Sequence, residues 1–256
     1  MLIKFIVCFI AGIGAGLGTG FAGMSAAAVI SPMLIAFLDM NPYMAVGIAL
    51  ASDVLASAVS AYTYGKNKNL DIKNGIVMMF AVLAFTLVGS WIASLVPQNT
   101  MAGFSTVMTL LLGIKFIVKP VMAPKARLTD ATTKQKIIRS VLCGALVGFI
   151  CGFVGAGGGM MMLLVLTSIL GYELKTAVGT SVFIMTFTAL TGSLSHFSIG
   201  GTPDIWALVF CVASTFIWAR LASVFANKAE PKTLNRVTGI VLVVLGASII
   251  VVNQFK

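Results

Sequence analysis

Apolar runs separated by short polar loops make up nearly the whole chain. The runs are continuous and show no period-two alternation, which predicts α-helices and excludes a membrane β-barrel. Each half contains five such segments. We place them at about 3–22, 25–38, 42–64, 74–96 and 100–118 in the first half, and at about 137–154, 158–171, 174–198, 204–226 and 234–252 in the second half.

The second segment of each half is too short to cross a bilayer. A helix of this length rises only ~20 Å, against ~30 Å of hydrocarbon. In both halves the segment before it is rich in glycine. We therefore predict that each pair forms a helical hairpin or a broken helix whose turn lies within the membrane, where non-helical backbone must face protein or a water-filled cavity.

The two halves are related by an ungapped internal match at an offset of 132 residues, which continues to residues 45–47 and 177–179. A duplicated unit explains a match of this length. It divides the chain into a first membrane repeat, 1–122, and a second, 123–256, within one transport domain. In the glycine-rich stretches the aligned pairs are Gly12 with Gly144, Gly16 with Gly148, Gly20 with Gly152, Phe21 with Phe153 and Gly23 with Gly155.

Composition identifies the class of protein. Charged residues form 9% of the chain and apolar residues 59%, and the mean hydropathy is +1.06. Soluble domains carry roughly a quarter charged residues, so the predicted fold is all-α and polytopic, with about eight to ten hydrophobic segments. The net charge of +10 does not indicate nucleic acid binding, because the basic residues cluster in short loops beside apolar runs. The four cysteines lie in apolar segments, where packing is expected rather than a disulfide or a metal site.

The basic residues also predict the topology, because cytoplasmic loops are enriched in Lys and Arg. Equivalent loops of the two halves differ in charge, so they face opposite sides, the repeats are inverted, and both termini are external. The signal-like N-terminus is expected to be retained, since it is the repeat partner of residues from 137 onward. Loops 97–100 and 198–204, predicted outside, carry no cation. The three loops predicted inside carry, in chain order, Lys66, Lys68 and Lys73; Lys119, Lys125, Arg127, Lys134, Lys136 and Arg139; and Lys228, Lys232 and Arg236.

Several pieces of the second half match a known family: residues 148–159, which end in a triple glycine, then 163–170, 177–181, the region of His196, and 219–221. On these pieces the second half resembles the TauE/SafE sulfite exporter family of anion permeases, and the first half resembles it more weakly. This resemblance implies a multi-pass plasma-membrane protein that moves sulfite, sulfonates or related small organosulfur anions. The chain departs from the family at Ser25, Ala26 and Ala27, where the first half usually repeats the triple glycine.

The glycine breaks are the candidate substrate site. A turn inside the membrane frees N–H groups at the start of the next helix, and these groups and the helix dipole favour an anion. Close helix packing through small residues is the alternative, and it accounts well for Gly12, Gly16, Gly144 and Gly148. The predicted site comprises Gly155, Gly157, Gly158 and Gly159, with Gly20, Gly23 and Ser25 opposite. The hydroxyls of Thr180 and Ser181 complete it. The alternative for these two hydroxyls is a hydrogen bond to a carbonyl of their own helix.

Two titratable residues are candidates for proton coupling. Asp53 lies in the middle of an apolar helix, where acids usually face a cavity, and its repeat partner is Met185. The alternative is a protonated acid bonded to Ser52 or Ser57. His196 is the single histidine, near the outer end of its helix. Lys115 and Arg220 are expected to snorkel from helix ends.

The predicted function is a secondary transporter of a small sulfur-containing anion that works by alternating access. An anion channel with the same pore is the alternative, and an intramembrane enzyme or a structural partner protein is less favoured. No cofactor is predicted. Expected partners are the anionic substrate, the lipid bilayer and a coupling ion, H+ or Na+; nucleic acid is not expected, and a homo-oligomer is left open.

Overall fold

The computed structural model describes residues 2–93, 111, 114–115, 117–119, 133–154, 158–200 and 202–254. In these residues the chain is helical between short loops and contains no strand, which confirms the predicted all-α class. The described helices are α1 (Leu2–Ala22), α2 (Ala27–Leu38), α3 (Pro42–Lys66), α4 (Ile72–Ala93), α5 (Thr133–Val154), α6 (Gly158–Ser168), α7 (Leu174–Gly200), α8 (Ile205–Lys228) and α9 (Pro231–Gln254).

The predicted segments match these helices closely. The main difference is α5, which begins at Thr133 rather than at 137, so Lys134, Lys136 and Arg139 belong to its first two turns and not to a loop. Charged side chains at a helix end reach the aqueous interface, so the apolar run alone underestimates the length of the helix. The predicted segment 100–118 and the loop 97–100 lie largely or wholly outside the described residues.

The helix order recurs along the chain. The helices α5 to α8 begin 131 to 133 residues after α1 to α4, respectively, close to the offset of the sequence match. Their packing recurs as well, because α1 packs along α8 while the equivalent helix α5 packs along α4.

Small residues allow these helix pairs to approach closely. A Cβ built on Gly12 would lie 2.5 Å from the Ser214 Cβ, and one built on Gly20 would lie 2.5 Å from the Ala222 Cβ. Residue numbers rise together on α1 and α8, so the two helices are parallel. The same holds for α4 and α5, where Gly144 contacts Met78 and Ala81 and Gly148 contacts Val82. Gly12, Gly16, Gly144 and Gly148 therefore serve close packing, as the alternative interpretation predicted.

Helices α3 and α7 occupy equivalent places in the two halves and pack against each other. Gly47, near the start of α3, lies against His196, near the end of α7. Tyr64, near the end of α3, lies against Gly179, near the start of α7. The two equivalent helices therefore run antiparallel.

Side-chain contacts define two faces of the bundle. We call the face that carries the loops 66–73 and 227–232 the basic face. These loops meet there, because the Asn69 side chain donates to Asn227 Oδ1 at 2.7 Å. The opposite face holds the start of α1 and the start of α8, which are joined by the ion pair between Lys4 and Asp204.

Both short helices return to the face from which their hairpin entered. Leu38, the last residue of α2, shares the wall of a cavity with Lys4 at the opposite face. After α6, the Tyr172 hydroxyl donates to Asp71 at the basic face, where α4 and its parallel neighbour α5 begin. The pairs α1–α2 and α5–α6 are therefore re-entrant helical hairpins, which resolves the choice between a hairpin and a broken spanning helix.

The bundle has an apolar exterior and a partly polar interior. Phe80 and Leu87 are 64% and 74% exposed, whereas Asp53 and Ser57 are completely buried. Within the described residues, four helices are long and apolar enough to cross a membrane, namely those at 2–22, 44–66, 174–198 and 205–228. This distribution is that of a multi-pass membrane protein.

Candidate functional site

The first hairpin turns at residues 23–26, between α1 and α2. Gly23 has φ of +60°, a left-handed conformation that glycine adopts without steric cost. Its N–H donates to the Thr19 carbonyl at 2.9 Å, which is the hydrogen bond of an αL cap. The glycine in the sequence thus ends α1 within the bundle.

Hydroxyl groups from three other helices satisfy the carbonyls at the end of α1. The Tyr64 hydroxyl donates to the Gly20 oxygen at 2.8 Å, and Ser181 donates to the Gly23 oxygen at 3.1 Å. Thr238 of α9 donates to the Phe21 oxygen at 3.2 Å. Free carbonyls are costly in a membrane interior, so these three bonds stabilise the break in the helix.

Asp53 lies beside the start of α2. Its carboxyl group accepts from the Ser25 hydroxyl and from the Ser57 hydroxyl, both at 2.8 Å. The Ala27 N–H donates to Ser25 Oγ at 3.3 Å, and the Ala26 amide also reaches the carboxyl group. The N-terminus of α2 therefore already holds an acidic group, which the helix dipole favours.

Sequence analysis proposed Ser52 or Ser57 as the bonding partner of Asp53. Ser57 is a partner, whereas Ser52 donates to its own helix, to the Ile48 carbonyl at 2.9 Å. The second partner, Ser25, lies on the first hairpin. The acid thus joins α3 to the turn, and this contact was not foreseen.

The residues that join α5 to α6, 155–157, lie outside the described residues, and the predicted site residues Gly155 and Gly157 are among them. Gly158 is the first residue of α6, and Gly159 is buried. A Cβ built on Gly159 would lie 2.7 Å from the Ser25 nitrogen and 2.8 Å from the Gly23 oxygen. Only glycine leaves room for this backbone approach. The two hairpins therefore meet at Gly159, Gly23 and Ser25.

The two predicted hydroxyl residues, Ser181 and Thr180, lie in different places. Ser181 bonds to the Gly23 oxygen and borders the first turn. Thr180, its neighbour on α7, faces the α3–α4 loop instead, where its Oγ1 accepts from the Asp71 N–H at 3.2 Å. Adjacent residues on a helix point about 100° apart, so one of the two hydroxyls lies away from the hairpins.

Gly20 also lies away from the facing second hairpin. Its α-carbon contacts α8 at Ala222, and its carbonyl accepts from Tyr64. This glycine serves the packing of α1, and Gly23, three residues later, forms the turn.

The second hairpin has no acid equivalent to Asp53. The repeat partner, Met185, brings its sulfur 2.7 Å from a Cβ built on Gly159. Ser181 Oγ lies 3.9 Å from the same sulfur. A neutral, polarisable thioether therefore stands near the start of α6, where the first half has a carboxyl group at the start of α2.

His196 lies far from this meeting point. Its Cβ is 3.1 Å from a Cβ built on Gly47, towards the opposite face. Along α7, eleven residues separate His196 from Met185, a rise of about 16 Å. The structure thus brings Asp53 to the hairpins and leaves His196 near the end of its helix.

The remaining basic candidates lie at the edge of the bundle. Arg220 is exposed on α8. The ammonium of Lys115 donates to the Ser168 hydroxyl at the end of α6. Neither residue reaches the hairpin turns in the described contacts, which agrees with side chains that extend towards the interface.

The opposite face holds a cavity of about 290 Å³ whose wall includes Leu38, Asn41 and Thr202. The Lys4–Asp204 pair also lines it. The hydrogen bond from the Lys4 ammonium holds the pKa of Asp204 below its usual value. Asp204 accepts as well from the N–H groups of Trp206 and Ala207, both at 3.1 Å, and so caps α8.

The basic face is joined by several polar contacts. Lys175 donates to the Asn227 carbonyl at 2.9 Å, and Asn227 also accepts from Asn69. Burial and the hydrogen bond to Asp71 raise the pKa of Tyr172 above its usual value. These contacts join the α3–α4 loop to the end of α8 and to the residues before α7 at the basic face.

Known proteins resemble this chain along nearly its whole length. The family model "Sulfite exporter TauE/SafE" matches residues 8–249, from α1 into α9. The "Probable membrane transporter protein YunE" of Bacillus subtilis is 24% identical over 99% of this chain and 100% of its own length. The "Probable membrane transporter protein MJ0441" of Methanocaldococcus jannaschii is 26% identical over 95% of this chain and 93% of its own. The "Probable membrane transporter protein YdhB" of Bacillus subtilis is 22% identical over 83% and 86%, respectively.

The family match and the fold agree with each other. The match covers the helices that form both hairpins, and the relatives carry the names of membrane transporters. The apolar exterior and the spanning helices place the chain across a bilayer. The chain belongs to the sulfite exporter TauE/SafE family and is a multi-pass membrane transporter.

Proposed function

We propose that this protein is a secondary transporter that moves a small sulfur-containing anion, such as sulfite or a sulfonate, by alternating access. The observation that supports this most is the contact of Gly159 with Gly23 and Ser25, where the start of α6 meets the turn of the first hairpin inside the bundle. Turns of this kind at the interface of repeats bind substrates in many secondary transporters. The bound anion lies between the start of α6 and the hydroxyls of Ser25 and Ser181.

The two halves, 1–122 and 123–256, act as inverted repeats in this proposal. Support comes from α3 and α7, which occupy equivalent positions and run antiparallel. A repeat related by an axis along the membrane normal would make them parallel. Rocking of one repeat against the other then exposes the meeting point of the hairpins to each side in turn.

The basic face is cytoplasmic in this proposal, and the membrane is the plasma membrane. The loops that meet at this face contain Lys66, Lys68 and Lys73 on one side and Lys228 and Lys232 on the other. Excess Lys and Arg in short loops marks the cytoplasmic side. The start of α1 lies on the opposite face, so the N-terminus is external, as is the C-terminus after one further crossing by α9.

Asp53 carries the coupling proton. Its carboxyl group bonds to Ser25, so an anion held by the same serine would lie about 6 Å from it. Two unit charges at that distance repel by about 3 kcal/mol at an effective dielectric constant of about 20, which is roughly 100-fold in affinity. The anion therefore binds together with a proton on Asp53. His196 is the second candidate for coupling, at a distance from the anion.

Transport in proteoliposomes tests this function. Gly159→Leu should reduce uptake of labelled sulfite to the level of empty liposomes, because a side chain there would meet the Ser25 nitrogen and the Gly23 oxygen and push the hairpins apart. The matched control is Gly65→Leu, at the end of α3, where the closest atom to a built Cβ is a flexible Leu70 methyl at 3.3 Å. Ser181→Ala is a smaller second change, expected to weaken binding and also to lower the melting temperature, because it removes the hydrogen bond to the Gly23 oxygen.

Two outcomes would contradict the proposal. Wild-type flux in Gly159→Leu would remove the hairpins from the transport path. Flux without trans-stimulated exchange in the wild type would indicate a channel. A thermal-shift series with sulfite, thiosulfate, sulfate and short sulfonates identifies the substrate, because ligand binding stabilises the folded state.

A further inference from the structure

One buried face of α3 carries a line of polar side chains. Asp53, Ser57, Ser60 and Tyr64 follow one another at spacings of four, three and four residues, which place them on the same side of a helix. All four are 0% exposed. Over these eleven residues the helix rises about 16 Å, from the meeting point of the hairpins towards the basic face.

Hydrogen bonds occupy both ends of this line. Ser57 donates to Asp53 Oδ1 at 2.8 Å, and Tyr64 donates to the Gly20 carbonyl at 2.8 Å. Between them, the Ser60 hydroxyl is buried without a hydrogen-bond partner among the described residues. A buried hydroxyl without a partner destabilises the folded state, so its presence requires an explanation.

Several other buried hydroxyls in these helices avoid that cost by bonding to a carbonyl one turn earlier. Ser52 donates to Ile48 at 2.9 Å, and Thr215 donates to Cys211 at 2.6 Å. Ser60 lies in the same kind of helix and does not do so. Its hydroxyl remains available to accept one proton and donate another.

The repeat-equivalent face of α7 lacks this line. The partners of Asp53, Ser57, Ser60 and Tyr64 are Met185, Ala189, Gly192 and His196. No hydroxyl stands among them before the histidine. Because α7 runs antiparallel to α3, its face leads towards the opposite face of the bundle. The polar line therefore leads to the basic face and not to the opposite face.

We propose that Asp53 exchanges its proton with the basic face through Ser57, Ser60 and Tyr64, with water completing the chain beside Ser60. A proton from water at the basic face is accepted at the Tyr64 end. Each oxygen then accepts one proton and passes on its own, so that one proton is taken from water and one arrives on the Asp53 carboxylate. This inference rests on the proposed coupling role of Asp53.

No other charged group contacts the carboxyl group of Asp53 in the described residues; its partners are Ser25, Ser57 and the Ala26 amide. The helices packed against α3 are α1, α2, α7 and α8. Helix α2 has no titratable residue. The titratable residues of the others are Lys4 and Cys8 on α1, Lys175 and His196 on α7, and Cys211, Arg220 and Lys228 on α8. Besides Asp53 and Tyr64, the sequence of α3 itself adds Tyr43, Tyr62 and Lys66.

The test compares Ser60→Ala with Ser31→Ala in proteoliposomes of known orientation. Ser31 on α2 is the matched control, because its hydroxyl is also buried and without a partner among the described residues. A pH step at the basic face should drive uptake at least about ten-fold more slowly in Ser60→Ala, as expected for loss of a positioned proton-transfer group. Ser31→Ala should match the wild type, and Ser60→Thr should restore the rate.

Anion exchange at constant pH separates this inference from the proposed function. Exchange needs no net proton movement, so Ser60→Ala should exchange at the wild-type rate. Equal slowing of exchange and proton-driven uptake would assign Ser60 a structural role and overturn the proton path. A proton-driven rate within two-fold of the wild type in Ser60→Ala would also overturn it. Absence of exchange in the wild type would contradict the proposed function instead.

An infrared measurement on the whole protein gives a readout without substrate. The carboxyl band of Asp53, assigned by its loss in Asp53→Asn, should respond to a pH step at the basic face and should respond more slowly in Ser60→Ala. A band that responds only to the opposite face would contradict the path. Because Ser60→Ala removes an unpartnered hydroxyl, its melting temperature should equal or exceed that of the wild type.

Discussion

Helices α3 and α7 are equivalent in the repeat and lie side by side, yet their chemistry differs. Helix α3 carries Asp53 at the hairpins and three polar side chains beyond it, whereas α7 carries Met185, Ala189 and Gly192 at the first three matching positions and His196 at the fourth. Both are long and apolar enough to span a membrane, and more than half of each is buried. The same backbone arrangement thus places an acid beside the hairpins in one half and a thioether there in the other.

The difference extends to the hairpins that these helices contact. The start of α2 faces the Asp53 carboxyl group through Ser25, while the start of α6 faces the Met185 thioether through Gly159. A helix N-terminus that already holds a carboxyl group binds a second anion more weakly. We infer that the acid on α3, which has no counterpart at Met185, gives the two hairpins separate roles.

The largest effect on the pH dependence of transport is expected from removing the acid from α3 or moving it to α7. Asp53→Asn should keep anion exchange but lose the pH dependence of uptake, because the site can no longer gain or lose a proton. The double variant Asp53→Met with Met185→Asp should not recover that pH dependence, because an acid on α7 no longer bonds to Ser25 and Ser57. Labelled-sulfite flux across a pH series measures both.

A pH profile of Asp53→Asn identical to that of the wild type would assign coupling to another group, with His196 the next candidate. The matching single variant, Met185→Leu, preserves the volume and the neutral character of the side chain. It should retain the wild-type profile, and a loss of pH dependence there would remove the distinction between the two helices.

Removing one hydroxyl should give an intermediate effect. Tyr64→Phe deletes the bond to the Gly20 carbonyl, which leaves a buried acceptor at the end of α1 and should destabilise the protein by about 1–3 kcal/mol. The matched control is Tyr62→Phe, two residues away, because Tyr62 is 71% exposed and buries little. Thermal unfolding in detergent measures both, and equal melting temperatures in the two variants would show that the bond contributes nothing.

The smallest effect is expected at the opposite face. Lys4 lowers the pKa of Asp204, so the pair stabilises the folded state above the unfolded pKa of about 3.9 and loses that contribution as the pH falls through the lower folded value. Both side chains are about a third exposed, so Lys4→Met should cost no more than about 1 kcal/mol near neutral pH.

The pH dependence of that loss distinguishes an ion pair from simple packing. The difference in melting temperature between Lys4→Met and the wild type should shrink as the pH is lowered below about 4, and it should shrink in high salt. Lys232→Met, at an exposed position on the basic face, serves as the control. A difference that stays constant across the pH series would show that the aliphatic stem of Lys4, not its charge, matters.

Local patterns in the sequence determined much of this protein. Apolar runs placed the helices, Gly23 marked the end of α1, and the 132-residue offset predicted that the second half repeats the helices of the first. The glycine-rich motif at 148–159 carried the family resemblance. The polar line on α3 was also present in the sequence as Asp-x3-Ser-x2-Ser-x3-Tyr, and that spacing is the signal from which Ser60 and Tyr64 were recognisable. Each of these features depends on residues within a few turns of one another or on direct sequence identity.

Only the tertiary structure decided which of these features meet. The bond from Ser25 to Asp53 joins residues 28 apart, and that from Ser181 to Gly23 joins residues 158 apart. The tertiary structure also places the Thr180 hydroxyl away from that of Ser181, although the sequence predicted one site for both. Periodicity tells which residues share a helix face, but the partner of that face depends on how close the helices approach. Gly12, Gly20 and Gly159 permit that approach without specifying which backbone comes near.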